Sequence, residues 1–410
     1  MLACRCVSCP KRIDLNKGSK ADVQRVGGSL RFPIFAAMHF ETGLIPTLLF
    51  GTVTLIQLAY HLLVFRRLAF LRRPYDKEAS RTHAVSVIVC ARDEAENLAN
   101  NLPGVLLQEY PSTHEVIVVD DNSVDETRYL LEGLHKEFRH LKPVTLQQEA
   151  MHIPGKKFPL SVGIKTARHE ILLMTDADCV PASEHWISRM QEAYDDETEI
   201  VLGYGAYRKG KGILNRIIRY DTFHSAMQYL SFALAGMPYM GVGRNLSYRR
   251  EVFFRHKGFS AHNHIPGGDD DLFVNMAANK RNTAVVVDPD SFTLSKPKQR
   301  FGDWVRQKYR HYSTAKYYRP SHRWLLGLYS MSHILFLPLF VVCLIWGDWR
   351  IALGLFALRF ITQAVILTRS MKRLGEEDLR PWFWLFDIWM FLQYLIFIPA
   401  VWKAPRQGWK

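Results

Sequence analysis

This 410-residue sequence predicts an α/β domain with a mainly parallel sheet, joined to about four membrane-crossing α-helices. Three observations lead there. From Ala84 onward, short apolar runs alternate with helical stretches, the pattern of βαβ units. Three of those runs end in acidic residues. Outside this region stand four apolar segments of 18 to 23 residues, long enough as helices to cross a bilayer core.

The first apolar segment, 43–65, carries no formal charge and reads as a transmembrane helix. Three more, 325–346, 351–368 and 382–402, crowd the C-terminal end. Arg359 and Asp387 interrupt them, and ionisable groups at membrane depth face other helices or a polar cavity, so interhelical pairing is the expectation. Arg66, Arg67, Arg72 and Arg73 follow the first helix, and Arg369, Lys372, Arg373 and Arg380 lie between the third and fourth. The positive-inside rule therefore predicts an integral protein of the cytoplasmic (inner) membrane with its central domain in the cytoplasm. Lys403, Arg406 and Lys410 run against that rule at the last helix. Residues 1–37 run against it too, with seven Lys or Arg and two Asp on the side where few positive charges belong, and a start at Met38 would remove them.

In the central region, Val85–Cys90 reads as the first strand, followed by a helix with Asp93, Glu94 and Glu96 around its first turn. Glu115–Val119 reads as a second strand running into Asp120-Asp121-Asn122-Ser123, and Ile171–Thr175 as a third ending at Asp176-Ala177-Asp178. Ligands of open parallel sheets bind beyond the carboxyl ends of the strands, so the three acidic ends converge on one crevice. Asp176 and Asp178 can share one hard divalent cation, Mg2+ or Mn2+, with coordination positions left for diphosphate oxygens. The tripeptide is not unique, since Asp269/Asp271 and Asp288/Asp290 repeat its spacing. Gly155-Lys156-Lys157 supplies phosphate-seeking charge before a helix, and Asp121 can accept the imide N–H of a pyrimidine. Ile213–Leu234 reads as an apolar helix that either lies on the membrane surface or packs on the sheet.

The formal charge of +14, which falls to +9 without residues 1–37, suits a membrane surface or an anionic substrate; no nucleic-acid motif accompanies it. Cys4, Cys6 and Cys9 lack an evident fourth zinc ligand, and Cys90, Cys179 and Cys343 read as reduced core residues.

Val85–Glu94, Val118–Ser123, Gly155-Lys156-Lys157 and Asp176–Pro181, in this order, resemble the signatures of the family 2 glycosyltransferases across residues 84–318. The resemblance implies the A-type nucleotide-sugar glycosyltransferase fold. It implies donor binding by Ala91, Arg92, Glu94, Asp120, Asp121, Lys156, Lys157 and Asp176, and metal binding by Asp178 helped by Asp176. Gly267-Gly268-Asp269-Asp270-Asp271-Leu272 resembles the family's base segment; matching Leu272 puts Asp269 in the base position, with Asp270 as the alternative. Gln307, Arg310 and His311 resemble the Gln-x-x-Arg-Trp signature of membrane-bound members, with His311 where tryptophan is usual, which points away from processive polymerisation. Gln307 and Arg310, one turn apart on a helix, join the donor site in this reading. Gly241–Arg250 resembles a segment lining the acceptor side.

The expected function is inverting, metal-dependent transfer from a nucleotide-sugar donor, a UDP-sugar by preference, to a lipid or lipid-linked acceptor. The alternatives are a processive polysaccharide synthase and a non-catalytic nucleotide-sugar-binding scaffold.

Overall fold

The computed structural model describes residues 31–72, 83–147 and 153–402. The Cys4/Cys6/Cys9 cluster, Arg73 and the basic C-terminal residues lie outside the described residues.

Ten strands are described: β1 Val85–Ala91, β2 His114–Asp121, β3 Leu141–Leu146, β4 Ile171–Asp176, β5 Cys179–Pro181, β6 Ile200–Leu202, β7 Gly205–Tyr207, β8 Leu246–Arg249, β9 Thr283–Val285 and β10 Thr293–Ser295. Seven make one sheet in the order β3-β2-β1-β4-β8-β6-β9, and β5-β10-β7 make a smaller one. The ladders from β3 to β4 are parallel, and β8 runs antiparallel to both β4 and β6. β1 is buried along its whole length, as a central strand covered on both faces must be. Val85, Val87, Val89 and Ala91 enter the core beneath the helix Ala95–Leu106, while Ile88 and Cys90 enter the opposite core with Leu160 and Ile164 of the helix Lys157–Thr166. β3 holds Pro143, which a strand tolerates at a sheet edge.

Among the described residues, four helices are long and apolar enough to cross a membrane: Gly43–Ala69, Pro320–Trp346, Trp349–Arg373 and Glu377–Ala400. They present large apolar side chains outward, Leu55, Ile345, Ile361 and Ile398 among them, and bury Gln57, His333, Arg359, Gln363 and Gln393. Arg359 donates to Asp387 from Nη1 at 2.6 Å and Nη2 at 3.0 Å, the interhelical pairing expected from sequence.

Of the two placements open to Ile213–Leu234, the structure takes packing. Its Tyr220, Phe223, Met227, Leu230 and Phe232 are buried in a core that also contains Leu202 and Leu246 of the sheet and Phe65, Leu68, Tyr329, Met371 and Met390 of the apolar helices. A helix with apolar residues on all faces needs cover on all sides. Cys90, Cys179 and Cys343 are buried free thiols.

Candidate active site

The register of β2, β1 and β4 builds the first wall. Ala91 lies opposite Asp120 and Cys90 opposite Asp176, so the three acidic strand ends stand side by side. Beyond them Asp93 (φ 52°) and Asn122 (φ 55°) adopt the left-handed conformation that Asp and Asn reach more easily than most residues. The two turns are tied together: the Asp93 amide donates to Ser123 Oγ (2.9 Å), the Val124 amide to Asp93 Oδ1 (2.8 Å) and the Ala95 amide to Asp125 Oδ2 (3.0 Å). Asp120 Oδ1 accepts the Ser123 amide at 3.1 Å, and Asp121 lies 3.8 Å from the Arg92 guanidinium. Glu94 accepts from Asn97 Nδ2. The predicted Ala91, Arg92, Glu94, Asp120 and Asp121 thus meet at one rim.

Asp176 and Asp178 stand beside that rim, with ligand atoms of Asp176, Asp178 and Cys179 within 4.8 Å of one another. Lys156 forms an ion pair with Asp176 Oδ1. Burial works to raise the Asp176 carboxyl, but Lys156, Arg244 and Arg310 outweigh it and hold the carboxyl below its ordinary value. Asp178 is pushed up by burial and by Asp176. Its negative charge is under-compensated, and a cation there would relieve it. The donor set fits Mg2+ or Mn2+: two carboxylates are hard ligands, whereas the Cys179 thiol is held protonated by burial and donates to Asp178 Oδ1 at 3.3 Å.

Lys157 departs from the sequence expectation. It is fully buried, and its ammonium donates to the carbonyls of His262 (2.9 Å), Ile265 and Gly267. All three ammonium donors are therefore occupied by the loop that leads to Asp269, and a donor phosphate is not what they face. Lys156 alone of the pair turns into the site.

That loop delivers three carboxylates in different states. Asp271 is buried, accepting from Thr314 Oγ1 (2.5 Å), Tyr318 OH (2.9 Å) and the Leu272 amide (2.8 Å). Asp270 accepts the Gly243 and Asp271 amides, both at 2.7 Å, and is pushed up to about 8 by burial and by Asp269 and Asp271. Asp269 accepts no hydrogen bond among the described residues. It lines a small cavity with Lys156, Met174, Gly243, Tyr248 and Asp270. The third pair, Asp288/Asp290, caps the short helix Pro289–Ser291 and belongs to a turn.

The helix Phe301–Tyr312 closes the opposite side. Its Trp304 is buried against Phe397 and Trp389 of the last apolar helix, which fixes the face carrying Gln307 and Arg310. Arg310 acts electrostatically on Asp176, whereas the Gln307 amide reaches Tyr207 OH at 3.3 Å. Sequence reasoning passed over Arg244 and Tyr207. The Arg244 guanidinium lies 4.5 Å over the Tyr207 ring, donates to Ser295 Oγ at 2.9 Å and acts on both Asp176 and Asp178. Arg244 lies in the glycine-bearing segment already singled out; Tyr207, in a three-residue strand, carries no sequence signal.

Comparison with known proteins bears on the family and the fold. The model of "Glycosyl transferase family 2" matches residues 86–256. A β-monoglucosyldiacylglycerol synthase from Nostoc sp. is 34% identical over 114 residues, 27% of this chain and 24% of that protein. Hyaluronan synthase from Streptococcus pyogenes is 26% identical over 214 residues, 50% of each. The chain thus spans about a quarter to a half of the length of these relatives. The mannosyltransferase PcManGT from Pyrobaculum calidifontis, solved with GDP-Man and Mn2+, superposes with a TM-score of 0.52 at 20% identity, covering 83% of this chain and 99% of its own. That likeness concerns the fold. Residues 86–256 thus match the family 2 glycosyltransferases, in a domain of the A-type fold, and among the described residues four helices are apolar enough to cross a membrane.

Proposed function

We propose that this chain transfers a sugar from a nucleotide-sugar donor, a UDP-sugar by preference, to a lipid or lipid-linked acceptor at the cytoplasmic face of the inner membrane, with inversion at the anomeric carbon. The observation that carries the reading is the register that aligns Asp120 with Ala91 and Asp176 with Cys90, with Lys156, the ion-pair partner of Asp176, lining the same small cavity as Asp269. Asp121, Asp120 and the Ala91–Glu94 turn receive the nucleoside, and Lys156 and Arg310 bring positive charge to the diphosphate. Asp178 and Asp176 would hold Mg2+ or Mn2+, which when bound supplies charge stabilisation for the departing diphosphate. The Mn2+ in the fold neighbour supports the choice of ion. Asp269 takes the proton from the acceptor hydroxyl as that oxygen attacks the sugar carbon. The apolar helices sharing one core with the catalytic sheet, and a diacylglycerol-lipid synthase among the relatives, support a lipid acceptor.

The test is incubation of detergent-purified protein with UDP- and GDP-sugars, Mn2+ or Mg2+, and diacylglycerol or glycolipid acceptors, with mass spectrometry of the lipid fraction. A lipid heavier by one hexose unit is expected. No transfer to any acceptor, with no release of nucleoside diphosphate, would refute the reading. The hyaluronan synthase relatives favour a processive synthase as the second reading, and a ladder of polymer lengths would select it.

A further inference from the structure

The small sheet places three residues in one row. Ser295 of β10 lies opposite Cys179 of β5 on one side and Tyr207 of β7 on the other, so the row runs from the residue after Asp178 outward by two strand spacings. Arg244 lies along this row. Its backbone is anchored by Thr175 Oγ1 and Thr293 Oγ1, which donate to its carbonyl at 3.0 and 2.9 Å. Leu246, two residues on, is in register with Met174, which sets this turn beside the end of β4. The side chain stacks on Tyr207 and gives one N–H to Ser295. Gly205 leaves the room: a Cβ there would come within 3.1 Å of Arg244 Cβ and 3.3 Å of its Nε.

We propose that Arg244, set on the Tyr207 ring and steered by Ser295, is the residue that grips the diphosphate of the donor and of the departing nucleotide beside the Asp176/Asp178 pair. The assignment rests on the nucleotide-sugar reading above. Three features select Arg244. A guanidinium fixed on an aromatic face presents its remaining N–H groups in a planar fork suited to phosphate oxygens. Its field reaches both Asp176 and Asp178, yet no ion pair joins it to either among the described residues, so the charge is not consumed by a carboxylate. Lys156, by contrast, is already paired with Asp176. The Gln307 contact to Tyr207 OH then buttresses the ring beneath Arg244.

The experiment measures binding of UDP, GDP, UMP and GMP to the full chain in detergent with Mn2+, by calorimetry, for the wild type, Arg244→Ala, Arg244→Gln, Arg244→Lys and Gly205→Ala. For the preferred base, Arg244→Ala is expected to weaken the diphosphate about 10- to 100-fold, the worth of a charge-assisted hydrogen bond, and the monophosphate about threefold or less. Gly205→Ala is expected to reproduce part of the loss by displacing the guanidinium, and Arg244→Lys to restore part of it. Should Arg244→Ala not fold, Arg244→Gln, which keeps a planar group on Tyr207, carries the decision. Diphosphate affinity unchanged in these variants, or diphosphate and monophosphate losses of equal size, would overturn the assignment of Arg244 alone. A wild type that binds neither diphosphate would overturn the nucleotide-sugar reading beneath it.

Discussion

Asp269, Asp270 and Asp271 are neighbours in sequence and differ in what their oxygens already do. Asp271 and Asp270 are engaged by Thr314, Tyr318 and three backbone amides, which leaves Asp269 with lone pairs directed at no protein donor among the described residues. Asp269→Asn is therefore expected to lower turnover by about 10² to 10⁴ while nucleotide binding persists, checked by initial rates beside calorimetric titration. If Asp270→Asn were the inactive variant instead, the base would lie one residue later. Asp270 has its own signature. With its folded value at about 8, above the ordinary 3.8, the folded state binds this proton more tightly than the unfolded chain does. Its contribution to stability is thus complete below about pH 4 and declines as pH rises through about 8. Thermal unfolding followed across that window should show the decline in the wild type and a flatter profile in Asp270→Asn; parallel profiles would refute it. Lys157 shows where residue-level reading failed. Two adjacent lysines after a glycine carry the same sequence signal, but the helix starting at Lys157 turns its side chain inward onto carbonyls more than 100 residues away. Lys157→Ala leaves those carbonyls unpaired and should cost on the order of 3 kcal/mol of stability, measured by denaturant titration.

Elements were legible in proportion to their length and burial. β1, β2 and β4 announce themselves as apolar runs because both faces are covered, and their acidic ends mark the crevice. β3 was not read as a strand, because Lys142 and Pro143 break its pattern and only an edge position permits them. The three-residue strands β5, β7 and β10 are too short for any periodicity, so the row carrying Tyr207 and Ser295 could not be foreseen. The helix Ile213–Leu234 joins the sheet to the connection between the third and fourth apolar helices through one buried fork. Arg219 donates from Nε to Glu376 Oε2 at 2.9 Å and from Nη1 and Nη2 to Asp378 at 2.8 and 2.6 Å. Arg219 and Glu376 are each only 2% exposed, so removing one partner strands a charge out of water. Arg219→Ala is expected to destabilise by about 3 to 5 kcal/mol, and the Arg219→Met/Glu376→Gln pair by less than Arg219→Ala. Denaturant titration of the detergent-purified variants decides it: equal losses would show that the cost is lost packing and not a stranded carboxylate.

At the scale of the whole molecule, one face of the sheet and the apolar helices share a hydrophobic core, so that face is covered only when both are present. The sequence showed the four apolar segments clearly, because hydropathy over a bilayer's length is a strong signal. Their union with the sheet was hidden, because a helix apolar on all faces does not say what covers each face. Within the apolar helices the Arg359–Asp387 pair is the centre of a network. Gln363 donates to Asp387 at 2.6 Å, Arg359 reaches Gln57 Oε1 at 3.4 Å, and Gln57 donates to Ser332 at 2.6 Å, so all four helices contribute a polar group. A charge in hydrocarbon surroundings is costly unless paired, and here each member's cost is offset by the others. Asp387→Asn and Arg359→Gln should therefore each be more destabilising, by about 3 to 5 kcal/mol, than the double replacement Arg359→Leu/Asp387→Leu, which removes both charges. Thermal unfolding in one detergent across the three variants makes the comparison. A double variant no more stable than either single one would mean that the pair does more than neutralise itself, and that the hydrogen bonds from Gln57 and Gln363 hold the helix arrangement through it.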